Sequence, residues 1–153
     1  MRTSEVLRGA VAKVVQSGWV QGVTEAVDSG AVCLEGALLH GAGRTERVGV
    51  ARQPGTNSYW YILAEWGGLT TYQPLIAARA VCAALITDPR AALSNNSNKL
   101  WRWNDHVATS KDEVIALLTR AAGIAELEER VNSQPQPSYI EALVYSGAEL
   151  VAV

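Results

Sequence analysis

Apolar residues recur every three or four positions in three separate stretches, and this spacing leaves the chain few ways to fold. Leu7, Ala10, Val11, Val14 and Val15 form the first stripe, and Leu75, Ile76, Ala80, Ala83 and Ile86 the second. Val114, Leu117, Leu118 and Ala121 form the third. At helical periodicity each set lies along one side of a helix, and that side must be buried against another element. Three such faces in 153 residues imply one mainly helical domain, long enough to bury a core without metal or disulfide staples.

Local punctuation sets the expected boundaries. Thr3 or Ser4 can cap the first helix, and Ser17-Gly18 stops it. A second helix is expected from Ala31 to His40, with Leu34, Ala37 and Leu38 on one side and Gly41 and Gly43 at its end. Gly36 inside it costs about 1 kcal/mol relative to alanine, which suits a place where another helix comes close. The third helix runs from Thr71 to Ile86, with Pro74 in its first turn and Asp88-Pro89 beyond its end. The fourth opens at Ser110, spaced from Glu113 as in a capping box. It continues past a kink at Gly123 through Ile124, Leu127 and Val131.

Residues 44–58 are polar and carry Gln53-Pro54-Gly55-Thr56-Asn57, which reads as a long loop with a short extended piece around Val48 to Ala51. The run from Tyr59 to Trp66 has strand-like aromatics, but Ile62, Leu63 and Trp66 also fit one helical face. Helix is preferred there, because few other strands are in view to pair with it. Ser94 to Asn98 reads as a polar loop, and Trp101 to His106 as a braced loop feeding the fourth helix. Asn132 to Ser138, with Pro135 and Pro137, is a linker. The apolar tail that follows, Tyr139 to Val153, fits a helix through Ile140, Leu143 and Val144, or a small hairpin across Ser146-Gly147. The expected architecture is a compact bundle of four to five helices over residues 1–131, with 132–153 as linker and docking tail.

Composition narrows the function classes. Hydrophobic residues make up 48% and charged residues 18%, a balance that argues against disorder. Net charge is −2 with acids and bases interspersed, so the basic face of a nucleic-acid binder is not expected. Cys33 and Cys82 sit in apolar helical stretches and read as buried thiols of a reducing cytoplasm. The N-terminus lacks the continuous apolar core of a signal peptide. The longest apolar run, Pro74 to Ile86, is interrupted by Arg79 and too short to span a bilayer. A cytoplasmic protein without a membrane segment is expected.

Candidate chemistry is sparse. Cys33 near a helix start could gain from the macrodipole, and His106 with Asp105 or Asn104 could complete a cysteine–histidine–carboxylate set. The alternative is a packed thiol and an exposed loop histidine. His40 lies on nearly the same face as Cys33 but too far along the helix to touch it. Two histidines and two cysteines without close pairing lack zinc spacing, so no metal is expected. Gly41-Ala42-Gly43-Arg44 lacks the strand and Gly-Lys-Ser/Thr of a phosphate loop, and no cofactor is expected. Arg102 between Trp101 and Trp103 could stack on a partner. Alternatively, one indole is buried, the other covers the helix start, and Asn104 or Asp105 braces the loop backbone.

Gly18-Trp19-Val20-Gln21-Gly22, Cys33-Leu34-Glu35-Gly36-Ala37-Leu38, and Trp103-Asn104-Asp105 with Ser110-Lys111-Asp112-Glu113-Val114 occur in this order. That succession resembles a domain-of-unknown-function family of small proteins from actinobacteria and their phages, over roughly residues 4 to 125. The family brings no established activity, so no catalytic residue is carried over from it. His106 and Val107 stand where its members more usually have Pro-Gly.

The function expected from these readings is non-enzymatic protein–protein binding or self-association, for instance in modulating a host process or inhibiting a defence. Trp101, Arg102, His106, Tyr139 and Tyr145 are the candidate contacts. A Cys33-dependent hydrolase or transferase and a virion component are the alternatives. For a phage-encoded protein, the compartment would be the host cytoplasm.

Overall fold

The computed structural model describes residues 1–64, 72–93 and 95–134. The described elements are α1 (Thr3–Ser17), α2 (Leu34–Gly41), β1 (Arg47–Arg52), β2 (Tyr59–Leu63), α3 (Gln73–Leu85), α4 (Asn96–Arg102) and α5 (Lys111–Ser133). A 3-10 turn, Pro89–Ala91, precedes α4, and a π-helical turn, Trp103–Val107, follows it. The mainly helical bundle inferred from periodicity is therefore what the chain forms.

α1 lies against both α2 and α5, and α3 packs on α1, α4 and α5. Val6, Leu7, Ala10 and Val14 of α1 meet Leu34, Leu38 and Leu39 of α2, Leu75, Ala78 and Cys82 of α3, and Val114, Leu118 and Ala121 of α5 in one core. Burying each Leu or Val side chain contributes roughly 1.5–3 kcal/mol relative to leaving it in water. Val15, placed on the first stripe by spacing, is exposed. The first helix is flanked by Arg2 as N-cap residue, whose N–H is accepted by Glu5 Oε2 at 2.7 Å. Ser4 instead donates its backbone N–H and hydroxyl to Glu129 at 3.0 and 2.6 Å, tying α1 to the end of α5.

The close approach expected at Gly36 exists, but its partner is a loop. A methyl group added there would lie 2.3 Å from the carbonyl oxygen of Thr24. The helix–helix approach occurs at Gly41, where an added Cβ would lie 2.0 Å from the carbonyl oxygen of Val6. No side chain fits between α1 and α2 at that point.

Several expectations are corrected. Tyr59 to Leu63 is a strand, and the preceding polar segment supplies its partner. β1 and β2 form an antiparallel hairpin with Val50 opposite Tyr61 and a register shift between Arg47 and Gly49. The β-branched and aromatic content decided the matter once a local partner existed. The second helix begins at Leu34 and the third at Gln73. Asn95 caps α4 through a 2.7 Å bond from Asn98 N–H, so part of the expected polar loop is a helix start. The segment Trp101 to His106 is likewise helical. α5 runs unbroken through Gly123. Ser110 caps it as expected, accepting from Glu113 N–H at 3.2 Å, while Glu113 Oε2 accepts the N–H of Thr109 at 2.6 Å. The tail, with Tyr139 and Tyr145, lies outside the described residues.

Among the described residues, the hairpin's backbone pairs with the rest of the chain along the free edge of β2. Tyr61 N–H donates to Glu25 C=O at 2.8 Å, Val27 N–H donates to Tyr59 C=O at 3.0 Å, and Ala26 bridges Trp60. Among the described residues no strand pairs with the outer edge of β1.

Candidate functional site

Residues that could carry chemistry converge in three places, and each is bound tightly into the fold. The first is Asn104, which is 1% exposed. The π turn, closed by Ala108 N–H to Trp103 C=O at 2.8 Å, directs it inward. Its Oδ1 accepts from Trp19 Nε1 at 2.7 Å and from Leu34 N–H at 2.9 Å. Its Nδ2 donates to Val20 C=O at 3.2 Å and to Asp105 Oδ1 at 2.8 Å. Gln21 Nε2 reaches the carbonyls of Asn104 and Ala108 at 2.9 and 3.0 Å, and Gly22 N–H donates to Asp105 at 2.9 Å. The bracing expected of Asn104 and Asp105 is therefore long-range. It joins the Gly-Trp-Val-Gln-Gly, Cys-Leu-Glu-Gly and Trp-Asn-Asp blocks in one knot.

The second place is Glu25, fully buried beneath the hairpin. Its Oε1 accepts from Arg47 Nε and Nη2 at 2.9 and 2.7 Å, and its Oε2 is hydrogen-bonded to His40 Nε2. Burial alone would raise the Glu25 carboxyl, but the bonds from Arg47 and His40 outweigh it and hold the group below its ordinary value. Burial, with Lys13 and Arg47 nearby, depresses His40 despite the Glu25 bond that favours its charge. The pair is consistently a carboxylate accepting the N–H of a neutral imidazole. Arg47 is half-exposed and also lies over the Tyr61 ring, 4.1 Å from its centroid.

The third is Glu35, 1% exposed. It accepts from Arg79 Nε at 3.0 and 3.2 Å and from the Ser97 hydroxyl at 3.1 Å. It stitches α2 to α3 and α4. Breaking a buried pair of this kind by removing one partner costs about 3–5 kcal/mol.

The sequence-predicted residues fall outside these clusters or play different parts in them. Cys33 caps α2, its sulfur accepting Gly36 N–H at 3.3 Å. Burial pushes its thiol up to about 12, and the negative charges of Glu35 and Asp105 add to the effect against the Gly36 bond. Burial and Glu35 push the Cys82 thiol up to about 12 as well. A nucleophile needs the opposite shift. His106 is exposed, its ring edge against Trp101 at 5.8 Å between centroids. No hydrogen bond joins it to Cys33 among the described residues. Trp101 is 42% exposed. Arg102 is partly buried, with Nε shielded and without a hydrogen-bond partner. Trp103 packs against the core. Among the described residues, no three His, Cys, Asp or Glu side chains gather as metal ligands. Nor is any helix long and apolar enough to cross a membrane.

Glu25 and Glu35 were missed as organising residues, and Asn104 was expected to brace only its own loop. The signal existed for Glu35 and Arg79, since a lone charge in each of two otherwise apolar helices calls for an opposite partner.

The hairpin offers the contrasting surface. Val48 is 56%, Val50 55% and Tyr59 49% exposed, with Arg47 and Arg52 at the two ends of β1.

Fold and knot define a small, mainly helical domain with one appended hairpin. The chain belongs to a family of unknown function (DUF6197), whose model matches residues 1–124. The three motif blocks held together by Asn104 lie within that match. No curated protein and no solved structure matches the chain.

Proposed function

We propose that this protein acts by binding another protein, and that its docking surface is the open edge and outer face of the hairpin. The supporting observation is the exposure of Val48, Val50 and Tyr59 beside a strand edge that no described strand covers. An open edge presents unpaired backbone groups to any extended segment. Strand addition takes its affinity from those groups and its selectivity from alternate side chains. Arg52 at one end of β1 favours an apolar extended segment with an acidic flank, Arg47 at the other end being paired with Glu25. The groups capable of catalysis point the same way, since Glu25, Glu35 and both thiols are committed internally.

Trp101 and His106 form a second candidate contact, an exposed indole backed by an imidazole over the rigid Asn104 knot. Tryptophan in such a setting suits a binding hot spot. A binding module of this kind serves the role expected of a cytoplasmic protein of actinobacterial or phage type that modulates a host process.

The test titrates the full chain with a short valine–threonine peptide carrying glutamates at both ends, followed by amide NMR. Saturable shifts confined to β1 and β2, weakened by Val50→Lys and by lysine flanks on the peptide, support the reading. Shifts elsewhere, or none at millimolar peptide, refute it. Rapid alkylation of Cys33 in the folded state at neutral pH would instead favour a cysteine-dependent enzyme.

A further inference from the structure

The π turn that carries Asn104 inward sends the residues at its two ends elsewhere. Trp103 and Val107, with Leu85, Ile86 and Leu117, line a cavity of about 490 Å³ between the end of α3, the 3-10 turn and the start of α5. That volume falls within the roughly 300–1,000 Å³ of small-molecule sites. Ile86 and Leu117 are buried, whereas Leu85, Trp103 and Val107 are partly buried against the core and leave part of their surface to the cavity. An apolar group seated there would remove that surface from water, and the Trp103 indole suits a flat ring. The wall is held from behind. Ala108 N–H closes the turn onto Trp103 C=O at 2.8 Å, and Asn104 ties it to Trp19 and Leu34. A preformed wall spares an incoming ligand the cost of ordering it. Single π turns are frequent at functional sites.

The polar rim decides what kind of ligand fits. Asp88 is engaged by Arg90, whose Nε and Nη2 donate to it at 3.0 and 2.7 Å and whose backbone N–H adds a bond at 2.9 Å. These bonds hold the Asp88 carboxyl down at about 2. Glu113 Oε2 accepts the Thr109 N–H at 2.6 Å as part of the α5 cap. Both carboxylates of the lining are therefore engaged. Arg120 lines the same cavity, is exposed, and has no ion pair or hydrogen bond among the described residues. The Trp103 indole N–H has no acceptor among them either. The donors are open and the carboxylate acceptors are occupied, so the rim complements a ligand that brings its own acceptors and a negative charge.

We propose that this cavity binds a small organic anion, with a flat apolar body against Trp103, Val107 and Leu117 and a carboxylate-type oxyanion on Arg120. A guanidinium takes a carboxylate through two parallel N–H···O bonds, which fixes orientation as well as charge. The cavity shares no residue with the hairpin, so this site stands apart from the docking surface there.

The test titrates the full chain with naphthoate, and with naphthamide and naphthylmethylamine as its neutral and cationic counterparts, followed by amide and indole NMR. Naphthoate should shift residues 85–90, 103–107 and 113–120 saturably with Kd below about 1 mM, and should bind at least about tenfold tighter than naphthamide. Arg120→Gln should erase that preference and leave naphthamide binding unchanged. Ala116→Trp, at an exposed position of the lining, should fill the cavity and block both. No saturable shift at millimolar naphthoate would overturn the proposal. So would an amine that binds as well as the carboxylate, or a preference that survives Arg120→Gln. Binding that persists in Ala116→Trp, or shifts confined to β1 and β2, would overturn it too.

Discussion

Replacing Asn104 by alanine should remove a large part of the stability of the fold. The substitution leaves three groups without their partner: the Leu34 N–H, the Trp19 Nε1–H and the Val20 carbonyl. A buried polar group left unpaired costs about 1–3 kcal/mol. Leu34 is fully buried and takes the upper part of that range, whereas Trp19 and Val20 are partly exposed and can recover water. The total is about 3–5 kcal/mol, set against the 5–15 kcal/mol that holds a typical domain together. For a chain of this size it corresponds to a drop in melting temperature of roughly 10 °C. Urea unfolding followed by far-ultraviolet circular dichroism measures the loss directly. Trp19→Phe removes one of the bonds, and the double variant with Asn104→Ala should show a coupling of about 1 kcal/mol. A loss below about 1 kcal/mol for Asn104→Ala, with no coupling to Trp19, would refute the idea that the knot organises the domain.

Three further outcomes follow from the same geometry. Gly41→Ala should cost at least about 3 kcal/mol, because its Cβ would lie 2.0 Å from the Val6 carbonyl oxygen and α1 and α2 would have to separate; a soluble variant with unchanged melting temperature would contradict the close approach. Ser110→Ala should cost about 1 kcal/mol, the usual loss of an N-cap, with a shift in urea midpoint as the measure. Acid should destabilise the protein in two stages. His40 is depressed from its ordinary 6.5, so the unfolded chain takes up a proton first and stability declines as pH falls below about 6.5. Glu25 is held below its ordinary 4.5, so its contribution is present above that value and disappears as pH falls through the folded one. Melting temperatures should therefore hold from pH 8 to about 6.5 and fall from there to pH 3, and His40→Gln should flatten the upper stage of that fall.

How much of this could be seen in the sequence depends on how local the cause was. The helices α1, α3 and α5 follow from a period contained within each segment, and the Ser110 cap from two residues three apart, although on α3 the expected Ile76 and Ala80 are exposed and Ala78 and Cys82 are buried in their place. Those features were legible. The hairpin was half legible: the extended piece expected around Val48 to Ala51 lies within β1, whereas Tyr59 to Leu63 satisfies strand and helix patterns equally. Only pairing with Arg47–Arg52 on one side and Glu25 to Val27 on the other decides it. The aromatic segment Trp101 to His106 shows the same limit at the level of the site. Its own residues suggested a loop with a histidine beside a carboxylate. The wider π turn instead carries Asn104 inward to groups about 70 and 85 positions away in the chain and leaves His106 at the surface. No local rule anticipates a bond whose two ends are so far apart in sequence. A lone charge in an otherwise apolar helix, as at Glu35, is nevertheless a usable warning, because a buried polar group must find partners somewhere. Glu25, Glu35 and Asn104 are all buried polar residues. Each one's partners come from other elements, which makes these three positions the ones that fix how the helices and the hairpin are mutually arranged.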